Sequence, residues 1–215
     1  MSPEREATLK TLLDRYGRTY AQEAGIRLAD QPGPLYQLLV LATLLSARIS
    51  ADIALAAARE LFAAGYRTPA AMREASWQDR VDALGRGHYR RYDERTATML
   101  GKGADLLAEK WDGDLRKIRK NAGGDTRRIR SALTEFPGIG PAGADIFLRE
   151  VQAVWPEIAP YLDGRVLEGA RKVGLPDQAG PLAGLAKSEA QLARLAAALV
   201  RVSRSERLAS EVRTA

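Results

Sequence analysis

Apolar residues recur at helical spacing along most of the chain, and strand-like alternation is nearly absent. The densest apolar run, Leu38 to Leu45, is broken only by Thr43 and reads as a buried core helix within a stretch from Leu35 to Ala47 that opens behind Pro34. Ser50 is placed to cap the next helix, with Ile53, Ala57 and Leu61 on one face and Gly65 near its end. Thr68-Pro69 reads as an N-cap followed by proline at the first helical position. Ser76-Trp77-Gln78-Asp79 resembles a capping box, and Gly85 reads as the stop of that helix. Tyr92 to Lys110 predicts a long helix carrying Thr96, Met99, Leu100, Gly103, Leu106 and Leu107 on one face.

Beyond a turn at Trp111 to Asp114 and a loop at Asn121 to Asp125, helices are predicted over 127–135 and 141–154, with Asp125 or Thr126 as a cap. Trp155 to Leu162, with Pro156 and Pro160, reads as extended, and Asp163 caps a helix running to about Val173. Ser188-Glu189-Ala190-Gln191 opens another helix, striped by Leu192, Leu195 and Leu199. The charged tail from Ser203 is helical or frayed. The pattern predicts an all-α protein of roughly ten helices, whose short connections disfavour a βαβ architecture.

Composition narrows the class. The 215 residues are 46% hydrophobic and 28% charged, which suits a soluble globular chain of one large domain or two small lobes. Cysteine is absent, which excludes disulfides, cysteine-ligated zinc and cysteine-held iron–sulfur clusters. The polar, acid-bearing start is unlike a secretory signal, and no apolar run approaches the ~18 residues of a membrane span. A cytoplasmic protein with no membrane partner is expected. The net charge is +6, and residues 86–130 carry 13 Lys/Arg against 7 Asp/Glu, so the excess lies there. A localised basic excess points to a polyanionic partner, against the alternative of a solvated mixed-charge surface.

The most specific chemistry lies at Pro137-Gly138-Ile139-Gly140, between two predicted helices, with Pro141 in the first turn of the second. Two close glycines allow positive φ and close approach to another molecule, and the following helix start offers unpaired N–H groups. Such a cradle suits one nucleic-acid phosphate; the alternative is a tight helix–helix turn that binds nothing. His88, the only histidine, sits in a Gly- and Arg-rich stretch from Gly85 to Tyr92 and cannot make a zinc site with ordinary ligands by itself.

Three motifs recur in a familiar order: Leu44-Leu45-Ser46-Ala47-Arg48, then the Pro-Gly-Ile-Gly hairpin, then Tyr161-Leu162-Asp163-Gly164-Arg165. The chain from about Leu35 to Leu175 resembles the helix-hairpin-helix DNA glycosylase superfamily, specifically the endonuclease III branch without its iron–sulfur loop. The resemblance implies two helical lobes flanking a DNA cleft. Residues 35–125 would form the central lobe, and 1–34 with 126–215 the hairpin-containing terminal lobe. It implies double-stranded DNA as partner, with one nucleotide flipped out of the stack, and a monomer. In a bacterium the protein would be nucleoid-associated.

The resemblance makes Asp163 the catalytic aspartate, which stabilises an oxocarbenium-like sugar and positions water; the plain reading is an N-cap, and the two are compatible. Ala142 stands where bifunctional relatives carry the lysine that forms a Schiff base, so lyase chemistry is not expected. Arg48 stands where relatives carry a glutamine that fills the hole left by the flipped base; the plain reading is a surface arginine. Pro137, Gly138, Ile139 and Gly140 would hold DNA, and Arg165 would reach a phosphate or solvent. No side-chain metal site or cofactor is expected, although the family's hairpin often holds a sodium or potassium ion on backbone carbonyls. The implied function is a monofunctional glycosylase hydrolysing the N-glycosidic bond of a damaged or mismatched base. The alternatives are a catalytically silent protein recognising damaged or distorted DNA and, more remotely, a protein-interaction helical domain.

Overall fold

Capping side chains mark most of the helix starts, which is why punctuation in the sequence carries so much of the fold. Ser50, Thr68, Ser76, Asp125, Asp163 and Ser188 each accept an N–H from the first turn of the helix they open. At Ser76 the bond is reciprocal, since the Asp79 carboxylate accepts the Ser76 N–H at 3.0 Å. The computed structural model describes residues 2–214. In chain order they form α1 (Pro3–Thr11), α2 (Tyr20–Glu23), α3 (Pro32–Leu45), α4 (Ala51–Ala63), α5 (Pro69–Glu74), α6 (Trp77–Arg86) and α7 (Asp93–Trp111). These are followed by α8 (Arg116–Asn121), α9 (Thr126–Leu133), α10 (Pro141–Val151), α11 (Gly164–Lys172), α12 (Ala179–Ala183), α13 (Glu189–Ser203) and α14 (Glu206–Arg213). A π turn at Leu12–Tyr16 continues α1, and a 3-10 turn at Pro156–Ile158 interrupts the stretch expected to be extended. The protein is all-α: no strand occurs among the described residues. None of its helices is long and apolar enough to cross a membrane.

The chain forms two compact units. One comprises residues up to Tyr20 together with those from Leu148 onward; the other is Ala21–Phe147. The division differs from the expected one, which broke the chain after residues 34 and 125 and placed the hairpin with the termini. The hairpin instead packs on the central helices. Gly138 lies against Thr43 and Met99, Gly143 lies against Ser46, and Lys110 of α7 pairs with Glu135.

In the terminal unit, Leu9, Leu12 and Leu13 pack with Val166, Ala170, Leu195 and Leu199 in one apolar core. Helices α11 and α13 cross closely because Gly169 has no Cβ to meet the Leu199 carbonyl. Arg194 donates to the Leu13 and Gly17 carbonyls at 2.9 and 3.2 Å, satisfying the end of the π turn. In the central unit α3 is the buried axis, with Leu35, Leu38, Leu41, Ala42 and Leu44 excluded from solvent. Gly87 lets the end of α6 rest on the backbone of Ala57 in α4.

Candidate nucleic-acid interface and carboxylate site

The hairpin begins where α9 ends, and Gly138 makes its turn with φ +87°. A Cβ there would lie 2.9 Å from both the Met99 sulfur and the Thr43 methyl, so conformation and space both demand glycine. The Ile139 N–H donates to the Phe136 carbonyl at 3.0 Å and the Ala144 N–H to the Gly140 carbonyl at 3.0 Å. Ile139 is buried, so its side chain serves packing, and its N–H is committed to the turn. Gly140 and Ala142 are exposed at the start of α10, where helix geometry leaves N–H groups without intrahelical acceptors. Arg130 reinforces this corner by pairing with Asp145 at 2.7 Å.

A cavity of ≈ 410 Å³ opens beside the hairpin, wholly within the central unit. The end of α3 and the turn after it contribute Thr43, Ser46 and Arg48; the stretch around the start of α7 contributes Tyr89, Tyr92, Arg95 and Met99; the hairpin contributes Gly138. Thr43 and Ser46 donate their hydroxyl protons to the Leu39 and Ala42 carbonyls one turn back. Tyr89 is fully buried, and burial pushes its phenol pKa up, so it stays neutral. The loop feeding α7 is held by Gly87 below and by His88 in the left-handed region at φ 62°. His88 is exposed, and no group of metal-ligating side chains occurs among the described residues.

Charge is sorted around this cavity. Six of the thirteen cations between 86 and 130 are paired: Arg86 with Glu60, Lys110 with Glu135, Arg116 with Asp114, Lys117 with Asp112, Arg119 with Asp30 and Arg130 with Asp145. The Asp114 carboxyl is held below its ordinary pKa by its hydrogen bond from Arg116. Arg48 and Arg95, which line the cavity, have no carboxylate partner among the described residues. Neither do Arg90 and Arg91, which stand between the two lining tyrosines; Arg91 lies 5.3 Å over the Tyr92 ring.

Asp163 and Arg165 belong to the terminal unit. One Asp163 oxygen, Oδ1, accepts the Arg165 and Val166 N–H groups at 3.0 and 3.2 Å and caps α11. The other, Oδ2, pairs with the Arg149 guanidinium from α10. Both side chains are largely buried, 7% exposed for Arg149 and 14% for Asp163. Gln152, in the turn just after α10, fixes the approach to Asp163. It accepts the Tyr161 N–H at 2.9 Å and donates to the Tyr161 carbonyl at 3.1 Å and to the Arg149 carbonyl at 2.9 Å. Arg165 itself is exposed.

Arg48 and Gly138 thus share one cavity, while Asp163 acquires a partner that the sequence did not suggest, Arg149, and Gln152 holds the backbone of Tyr161 two residues before it. The chain is similar to a solved endonuclease III. That structure is a trapped endonuclease III–DNA covalent intermediate, an estranged-adenine complex, with 16% identity and a TM-score of 0.48 over 93% of this chain and 85% of that one. No family model matches the sequence, and no curated protein does.

Proposed function

We propose that the protein binds double-stranded DNA and acts as a monofunctional base-excision glycosylase. The observation that carries the proposal is Asp163: a carboxylate fixed at a helix start by two N–H groups and a guanidinium, in a chain whose hairpin helix carries alanine at position 142. In this reading the glycosidic C1′–N bond breaks with its electron pair leaving on the base, the Asp163 carboxylate faces the cationic sugar that results, and water adds to C1′ while its proton passes to solvent. A methyl group at Ala142 offers no amine for a Schiff base, so no strand cleavage accompanies excision. The hairpin and the arginines of the central unit grip phosphate. The carbonyls of Pro137, Gly138 and Ile139, which accept nothing within the described residues, are the groups that would hold a sodium or potassium ion, which would supply positive charge toward a phosphate.

One observation favours a second reading, recognition of damaged DNA without excision. Oδ2 of Asp163 is committed to Arg149, and a carboxylate neutralised by a buried guanidinium offers less charge to a developing cation. Incubating the protein with duplexes bearing a panel of damaged and mismatched bases separates the two. Strand breaks that appear only after alkali support monofunctional excision. Breaks without alkali refute the argument from Ala142. Tight, salt-sensitive binding with no breaks under either condition supports silent recognition.

A further inference from the structure

We infer that the cavity beside Gly138 is a site for one nucleoside monophosphate bearing an uncharged base. Its size, ≈ 410 Å³, falls among small-molecule sites, which run from about 300 to 1,000 Å³. Its lining divides by chemistry. Tyr92 and Met99, both half-buried, offer aromatic and thioether surface to a planar ring. Arg48 and Arg95 are exposed lining arginines without a carboxylate partner among the described residues, and a planar guanidinium fork matches phosphate geometry. The hydroxyl protons of Thr43 and Ser46 are spent on helix carbonyls, so these side chains present only lone pairs.

Among the described residues no acidic side chain lines the cavity, whereas the paired cations of this region find their acids elsewhere. The unneutralised charge of Arg48 and Arg95 therefore lies in the lining itself, where it favours an anion and opposes a cation. A dianionic phosphate with a neutral ring satisfies both halves of the lining. A base that is itself cationic, such as an N7-alkylated purine, meets like charge with no acid to offset it. The site depends on these residues of the central unit alone, and it would exist whether or not Asp163 excises a base.

The nucleotide has two sources, the pool of free nucleotides and a nucleotide within a DNA strand. Calorimetric titration of the full chain with deoxyguanosine monophosphate should saturate with a Kd below about 1 mM. Deoxyguanosine, inorganic phosphate and the 7-methyl derivative of the nucleotide should each bind about tenfold more weakly or worse, and Arg95→Gln or Arg48→Gln should weaken the nucleotide about tenfold. Both arginines are exposed, so the variants test the site rather than the fold. Absence of saturation, equal affinity for inorganic phosphate, equal affinity for the methylated nucleotide, or indifference to both substitutions overturns the inference. With the nucleotide bound, a duplex that displaces it assigns the site to a nucleotide of DNA. A duplex that binds without displacing it assigns the site to the free nucleotide. A duplex that does not bind at all rejects the DNA reading and leaves the nucleotide site standing.

Discussion

Replacing Asp163 by asparagine is the obvious test of catalysis, and the structure predicts that it will unsettle the fold as well. Asparagine caps helices about as well as aspartate, so the bonds from Arg165 and Val166 N–H survive. The charge does not survive. Arg149, 7% exposed, would be left with its guanidinium facing an amide instead of a carboxylate. Removing one partner of a buried pair typically destabilises by about 3–5 kcal/mol. In a domain of this size each kcal/mol lowers Tm by roughly 2–4 °C, so a fall of roughly 6–20 °C is expected. Urea unfolding followed by far-ultraviolet circular dichroism measures the free-energy change, and thermal unfolding the fall in Tm. The double variant Asp163→Asn with Arg149→Met removes the orphaned charge and should recover most of the loss, giving a large coupling between the two positions. A single variant within 1 kcal/mol of wild type, or a double variant no more stable than the single one, would show that the pair does not behave as a buried unit. Activity lost in Asp163→Asn is evidence about chemistry only at temperatures where the variant remains folded.

Three further outcomes are expected. Gly138→Ala forces a Cβ into a positive-φ turn against Met99 and Thr43; a loss of about 1–3 kcal/mol in urea unfolding is expected, and an unchanged midpoint would refute the packing described for the hairpin. The Tyr36 hydroxyl is buried and finds no hydrogen-bond partner among the described residues, and burial pushes its pKa up, so Tyr36→Phe should be neutral or stabilising by up to about 1 kcal/mol; clear destabilisation on thermal unfolding would contradict this. The hydrogen bond from Tyr16 holds the Glu211 carboxyl below its ordinary pKa. A depressed carboxyl contributes stability that is complete above its unfolded value and lost as pH falls through its folded one, so the tie between α14 and the π turn weakens in acid. Tyr16→Phe should move the Glu211 midpoint upward in an NMR titration, and no movement would remove the hydrogen bond as its cause.

The helices whose starts carry a cap were legible because capping is chemistry between residues two or three apart. Ser50, Thr68, Ser76, Asp125, Asp163 and Ser188 announce themselves by identity alone. Helix α8 was not legible: Arg116 to Asn121 buries only Ile118, too little to set a period. Helix α12, with Gly180 and Pro181 inside it, buries only Leu182 and has composition more typical of a loop. Predicted helices 127–135 and 141–154 end earlier, at Leu133 and Val151, because the chain turns into the hairpin and then toward the 3-10 segment. Spacing puts Met99 on one face of α7 with Thr96, Leu100 and Leu107, yet it is half-buried and lines the cavity while those three are buried. Helical spacing says which residues share a face, not where the neighbouring elements stop covering it. Asp163, Arg48 and the hairpin glycines stood out by residue type. Arg149 and Gln152 did not, since they reach Asp163 and Tyr161 from a different element and only folding brings those atoms together.

The glutamine clamp also bears on timescale. Tyr161 lies in an irregular, proline-flanked stretch, where a backbone amide ordinarily exchanges its proton with water through small local openings. Its N–H is instead held by the Gln152 carboxamide, a side chain fully excluded from solvent. That amide should exchange only when the buried turn after α10 opens, on the slow scale of the core. Its resonance would then report how firmly the backbone leading to the carboxylate, two residues further on, is held in place.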